Sequence, residues 1–214
     1  MHIRPLLISD APVYRAFRLR GLREHPDAFT SSFEEESLRP LLDTERRLAA
    51  AGTEKLWGVF VDGVMAGMVG LSCETRARNR HKAALVGLYV ADEFTGRGLG
   101  RALVQTALQD ARACGIELVI LTVTEGNRPA CRLYENAGFT AFGVEPDAIR
   151  VDGVSFGKQH MFLQLSSLGT SPPFPFPRLF ISAPVRAGRW QRTCCRPASA
   201  ARWSSPTGRW PRCR

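Results

Sequence analysis

The stretch Thr95-Gly96-Arg97-Gly98-Leu99-Gly100-Arg101 sets three glycines at alternate positions just ahead of an apolar helical pattern. Glycine bares the backbone and allows positive φ, so a ligand can approach closely. N–H groups at a helix start have no intrahelical acceptor, and the helix dipole adds partial positive charge there. Such a loop suits an anion, above all a phosphate or pyrophosphate. Arg97 and Arg101 are placed to add side-chain charge to that group. A plain strand-to-helix turn is the other reading. Two familiar phosphate loops do not fit. A P-loop continues with Lys and then Ser or Thr after its last glycine, whereas Gly100 is followed by Arg101 and Ala102. A dinucleotide fingerprint needs G-x-G-x-x-G opening a β-α-β unit; the spacing here is G-x-G-x-G and the preceding strands read as a hairpin.

The elements that must hold this loop can be read along the chain. "HIRPLLI" reads as a first strand, and Ser9 and Asp10 with Pro12 open a helix whose apolar stripe is Val13, Phe17, Leu19 and Leu22. "HPDAFTSSFEEES" interrupts the helical pattern, and a second helix is expected over Leu41 to Ala51. Two β-rich runs flank Asp62-Gly63, a dipeptide suited to a tight hairpin turn. "HKAALVGLYVA" leads into the glycine loop, and Gly115 is placed to end the helix that follows. "IELVILTVT" has the continuous apolar character of a strand buried on both faces. Asn127 and Gly138 bracket a short helix, and two more strands run on to Leu165. The expectation is a mixed α/β domain, a central twisted sheet of about seven strands with about four helices, over residues 1–165.

Charge divides the 214 residues unevenly. All 20 acidic residues and 20 of the 29 basic ones precede residue 166, so the net charge of +9 belongs to residues 166–214. That tail is rich in Arg, Pro, Ser and Trp without a sustained period, and is expected to be disordered or an out-of-frame extension. Arginines interleaved with Trp190, Trp203 and Trp210 suit nucleic acid by charge and stacking, but nucleic acid is not the expected partner. No apolar run is long enough to span a bilayer, and the start lacks a secretory h-region. The expected location is cytoplasmic. Cys73, Cys114 and Cys131 form no CxxC pair and read as free, buried thiols rather than metal ligands; no metal is expected.

The loop resembles the cofactor motif of the GNAT superfamily, [Q/R]-x-x-G-x-[G/A] between a bulged strand and a helix. Gly98 and Gly100 follow the pattern's glycines, and Gly96 precedes them; Thr95 stands where Gln or Arg is usual. Downstream, "ACRLYENAGF" from Ala130 to Phe139, with Asn127 ahead of it, resembles the family's A-x-x-L-Y-E-x-x-G-F helix. The resemblance covers roughly Ile3 to Leu165. It implies a bacterial-type N-acetyltransferase that uses acetyl-CoA as cosubstrate and a primary amine on a small molecule or peptide as acceptor. Leu88, Tyr89 and Val90 would follow the pantetheine arm, and the Val90 N–H would polarise the thioester carbonyl. Gly96, Arg97, Gly98, Leu99, Gly100 and Arg101 would hold the pyrophosphate, and Asn127 the arm. Tyr134 would protonate the leaving thiolate. For the base that takes the amine proton, the nearest candidate is Glu125; Thr122, Glu74 and His81 are others. Glu34, Glu35 and Glu36 could attract a cationic acceptor or be an exposed helix start. A homodimer is compatible with the resemblance. A CoA-binding domain without catalysis is the alternative.

Overall fold

The computed structural model of the chain describes residues 1–49 and 53–165. The expectations for residues 166–214 lie outside the described residues. Seven strands form one sheet in the order β1-β2-β3-β4-β5-β7-β6: β1 (His2–Pro5), β2 (Glu54–Val61), β3 (Val64–Cys73), β4 (Lys82–Val90), β5 (Leu118–Thr124), β6 (Thr140–Val151) and β7 (Val154–Gln164). Every pairing is antiparallel except β4 with β5. The β2–β3 hairpin turns at Asp62 and Gly63, both with positive φ as a tight primed turn requires.

Five helices accompany the sheet: α1 (Ala11–Glu24), α2 (Phe33–Leu38), α3 (Leu41–Ala49), α4 (Leu99–Ala113) and α5 (Arg128–Asn136). The sequence predicts about four. The extra one, α2, forms inside the expected break because Ser32 caps it and Glu35 reaches back, a capping box. The stripe of α1 is also rotated from the expected one: Tyr14, Phe17 and Leu22 are buried while Val13 is exposed.

Two apolar clusters sandwich the sheet. On one face Leu99, Leu103, Val104, Ala107 and Leu108 of α4 pack with Val59, Val69, Leu71 and Val119. On the other, Tyr14, Phe17 and Leu22 of α1 pack with Leu56, Met65, Met68 and Tyr89. The strand buried on both faces is β3, whose residues Met65 to Leu71 are all buried, not β5. In β5 Ile120 and Thr122 are exposed and alternate with buried Val119, Leu121 and Val123, so one face of this strand is uncovered there. The thiols of Cys73, Cys114 and Cys131 are free as expected, but none is buried: Cys73 and Cys131 are half-buried, and Cys114 is exposed, 3.1 Å from Lys55 Nζ.

Candidate active site

The parallel pairing of β4 and β5 covers only Lys82–Ala84 against Leu118–Ile120. Beyond Ala84 the two strands separate. The cause lies in β4. Gly70 of β3 faces Val86 and Met68 faces Tyr89, so Val69 alone faces both Gly87 and Leu88. That extra residue is a bulge, which bends its strand; Gly87 absorbs it with φ +63°. Ala91 N–H then bonds to Ala66 O at 3.1 Å. Antiparallel ladders alternate bonded and non-bonded pairs, so the Val90 N–H points away from β3, into the gap β5 has vacated.

A cleft of about 290 Å³ opens there. Leu85–Leu88 of β4, Thr122–Thr124 of β5, Asn127, Ala130 and Tyr134 line it, together with Arg18, Ala28–Ser31 and Lys158. Tyr134 is buried and stacks edge-on against Phe139. Its burial pushes the phenol above its ordinary value, so it is protonated at neutral pH. Asn127 caps α5 through Oδ1, which accepts from Ala130 N–H at 3.2 Å, while the residue also borders the cleft.

The glycine loop lies next to β4. Gly96 and Gly98 have φ of +73° and +75°, and a Cβ at either would meet nothing within 4 Å. Gly98 is the N-cap of α4, and the first loop-to-helix bond runs from Ala102 N–H to Gly98 O. The N–H groups of Leu99, Gly100 and Arg101 therefore have no intrahelical acceptor. Gly100 serves packing: a Cβ there would come within 2.9 Å of Leu133 Cδ1 on α5. Leu99 sends its side chain into the core and can serve a ligand only through its backbone. Thr95 donates its hydroxyl to Asp92 O at 2.8 Å, so this proton is not directed outward to a phosphate. The Arg97 guanidinium lies 5.3 Å from the Phe94 ring centroid. Arg101 borders a separate hollow of about 280 Å³ with Pro129, Arg132, Leu133 and Asn136.

The structure thus gathers Leu88, Asn127 and Tyr134 at the cleft, with the Val90 N–H aimed into the gap. Tyr89 is directed elsewhere: its ring packs against Phe17 on the α1 face, and its hydroxyl donates to Glu24 Oε2 at 2.6 Å. Glu125 is exposed and follows Thr124 without lining the cleft; its Oε2 lies 2.6 Å from where a Cβ on Gly157 would sit. Of the three glutamates near residue 35, none lines the cleft: Glu35 completes the cap of α2, and Glu34 borders a neighbouring hollow of about 540 Å³. Sequence reading missed Arg18 and Lys158. A lone lysine within an otherwise weakly charged strand was the available signal for Lys158; Arg18 is one of four arginines in α1 and carried none.

The pattern of the acetyltransferase (GNAT) family matches residues 20–139. A Bacillus subtilis protein named "Putative phosphinothricin acetyltransferase YwnH" is 30% identical over 86 residues, which is 40% of this chain and 53% of that protein. The chain thus spans about half the length of that curated relative. The crystal structure of a GNAT-family acetyltransferase from Streptococcus pneumoniae superposes with a TM-score of 0.71 at 26% identity, over 77% of this chain and 99% of the other. The structure of yncA from Salmonella typhimurium with its cofactor acetyl-CoA gives 0.65 at 21% identity, over 81% and 98%, a likeness of fold.

Proposed function

The chain belongs to the acetyltransferase (GNAT) family, and on that premise we propose that it moves an acetyl group from acetyl-CoA to a primary amine by direct attack in a ternary complex. One observation carries the reading: the gap between β4 and β5, with the Val90 N–H aimed into it and Tyr134 and Asn127 on its wall. An N–H fixed in advance on the strand stabilises the oxyanion as the amine nitrogen adds to the thioester carbon. The carbon–sulfur bond then breaks, and the thiolate takes the phenolic proton of Tyr134, which solvent replaces. The nitrogen loses its proton to water, because no carboxylate lines the cleft among the described residues. The unpaired N–H groups at the start of α4 suit the pyrophosphate of the cosubstrate. Holding both reactants in one gap contributes through orientation and needs no strong base.

Calorimetric titration with acetyl-CoA, and separately with ATP and NAD, tests the first half of this reading. Saturable binding of acetyl-CoA alone is expected. Binding of all three alike, or of none by a folded chain, would overturn it. Thiol release from acetyl-CoA across a panel of primary amines tests the second half.

A further inference from the structure

Resting on that reading, we propose that the amine acceptor carries a carboxylate, as an amino acid does, and that Arg18 and Lys158 seat that carboxylate in the cleft. Two cations line the cleft and no carboxylate does, among the described residues. Arg18 enters from α1. Its guanidinium carbon lies 5.3 Å from the Phe29 ring centroid, and its Nε is buried without a hydrogen-bond partner. Neither Arg18 nor Lys158 forms an ion pair with a described residue. Lys158 enters from β7 and is 6% exposed; its ammonium donates to Thr30 Oγ1. The nearest acid across the strand pair, Glu145, holds His160 Nε2 at 3.0 Å instead. Burial lowers the affinity of the Lys158 amine for its proton, the charge of Glu145 offsets this only in part, and an anion in the cleft would raise it further.

A buried cation without a counter-ion is costly unless a ligand supplies the charge. The cosubstrate's phosphates are not that ligand. Their cradle is the loop at Gly96–Gly100, and none of its residues lines this cleft. Arg18, Thr30 and Lys158 instead come from α1, the segment after it and β7, away from the glycine loop and α4. The same two cations would repel a polyamine or a lysine side chain.

The test measures thiol release from acetyl-CoA by the full chain. Acceptors are L-methionine and L-phenylalanine, each beside its amide and its decarboxylated amine. The amide is less basic than the amino acid and the decarboxylated amine more basic, so preference for the acid over both reports the carboxylate and not amine basicity. The expected preference in kcat/KM is at least about tenfold, the scale of one charge-assisted hydrogen bond. Arg18→Gln and Lys158→Met should each abolish it through a raised KM for the amino acid. Arg18→Lys should recover part of it, and the affinity for acetyl-CoA should hold in all three. Equal or faster turnover of the amides or amines would overturn the carboxylate assignment and leave acetyl transfer standing. A lost preference with lost acetyl-CoA binding would make Arg18 a structural residue and also overturn it. Should no acceptor react, titration of N-acetyl-L-methionine against its amide in the presence of CoA decides. Binding of the acid alone, lost in Arg18→Gln, supports the proposal; no binding of the acid overturns it, while acetyl-CoA binding judges the transferase reading separately.

Discussion

Tyr134 sits where two demands meet. Its ring completes the packing around Phe139, and its residue borders the cleft. A phenol exposed to water has an ordinary value of 10.0, and burial raises this one further. A raised value keeps the proton on at every pH up to that ordinary value, so the group remains a donor in alkaline buffer. Tyr134→Phe keeps the ring and removes the proton. The expected result is a fall in kcat of about 10²-fold, at the low end for acid–base catalysis, with acetyl-CoA affinity unchanged by calorimetry. In the parent chain, kcat should rise with pH as the amine deprotonates and show no descending limb below about pH 9. Full kcat in Tyr134→Phe would reduce the residue to packing against Phe139.

The loop and α4 act as one element, because the glycine that caps the helix also leaves its first N–H groups open. Gly98 has φ +75°, and so does Gly115 just past the other end of the same helix; a Cβ at either meets open space. That pair separates strain from binding. Valine at either position should cost about 1–2 kcal/mol, the penalty for a side chain in the left-handed region. Only Gly98→Val should also weaken acetyl-CoA, because only there does the new side chain stand beside the open N–H groups. Melting curves and calorimetry on both variants check this; equal loss of affinity would mean that the loop is merely a turn. The glycine loop, the hairpin at Asp62-Gly63 and the short helix after Asn127 were legible in sequence because each is written in local backbone chemistry. The divergence of β4 from β5 was legible only through the family likeness. It depends on a bulge of one residue at Gly87 and on which face of β5 goes uncovered, and neither leaves a local period. The α2 helix was readable in principle from Ser32 and Glu35, but six residues are too few for a periodic stripe.

At the scale of the whole chain, the sequence divides by charge at residue 166, and the last strand among the described residues ends at Gln164. Gln164 pairs with Leu118, and Leu165 N–H bonds to Glu117 O at 2.8 Å. All seven strands, both apolar clusters and the whole cleft lie within residues 1–165. This span carries 20 basic and 20 acidic residues, whereas the full chain has a net charge of +9 and a pI near 9.9. The cleft was visible in sequence only in part, since Arg18, Thr30 and Lys158 come from three elements far apart in the chain and meet through the fold alone. A chain ending at Leu165 should therefore melt cooperatively within about 3 °C of the full chain, about the shift that 1 kcal/mol produces in a domain of this size. It should bind acetyl-CoA with the same affinity and lose retention on a cation exchanger. Salt-dependent retention on immobilised RNA, if the full chain shows any, should vanish with the same truncation, because the charge that supplies it has been removed. Loss of cooperative melting would instead assign residues 166–214 a part in holding the sheet, and loss of acetyl-CoA binding alone would assign their arginines to the cosubstrate's phosphates.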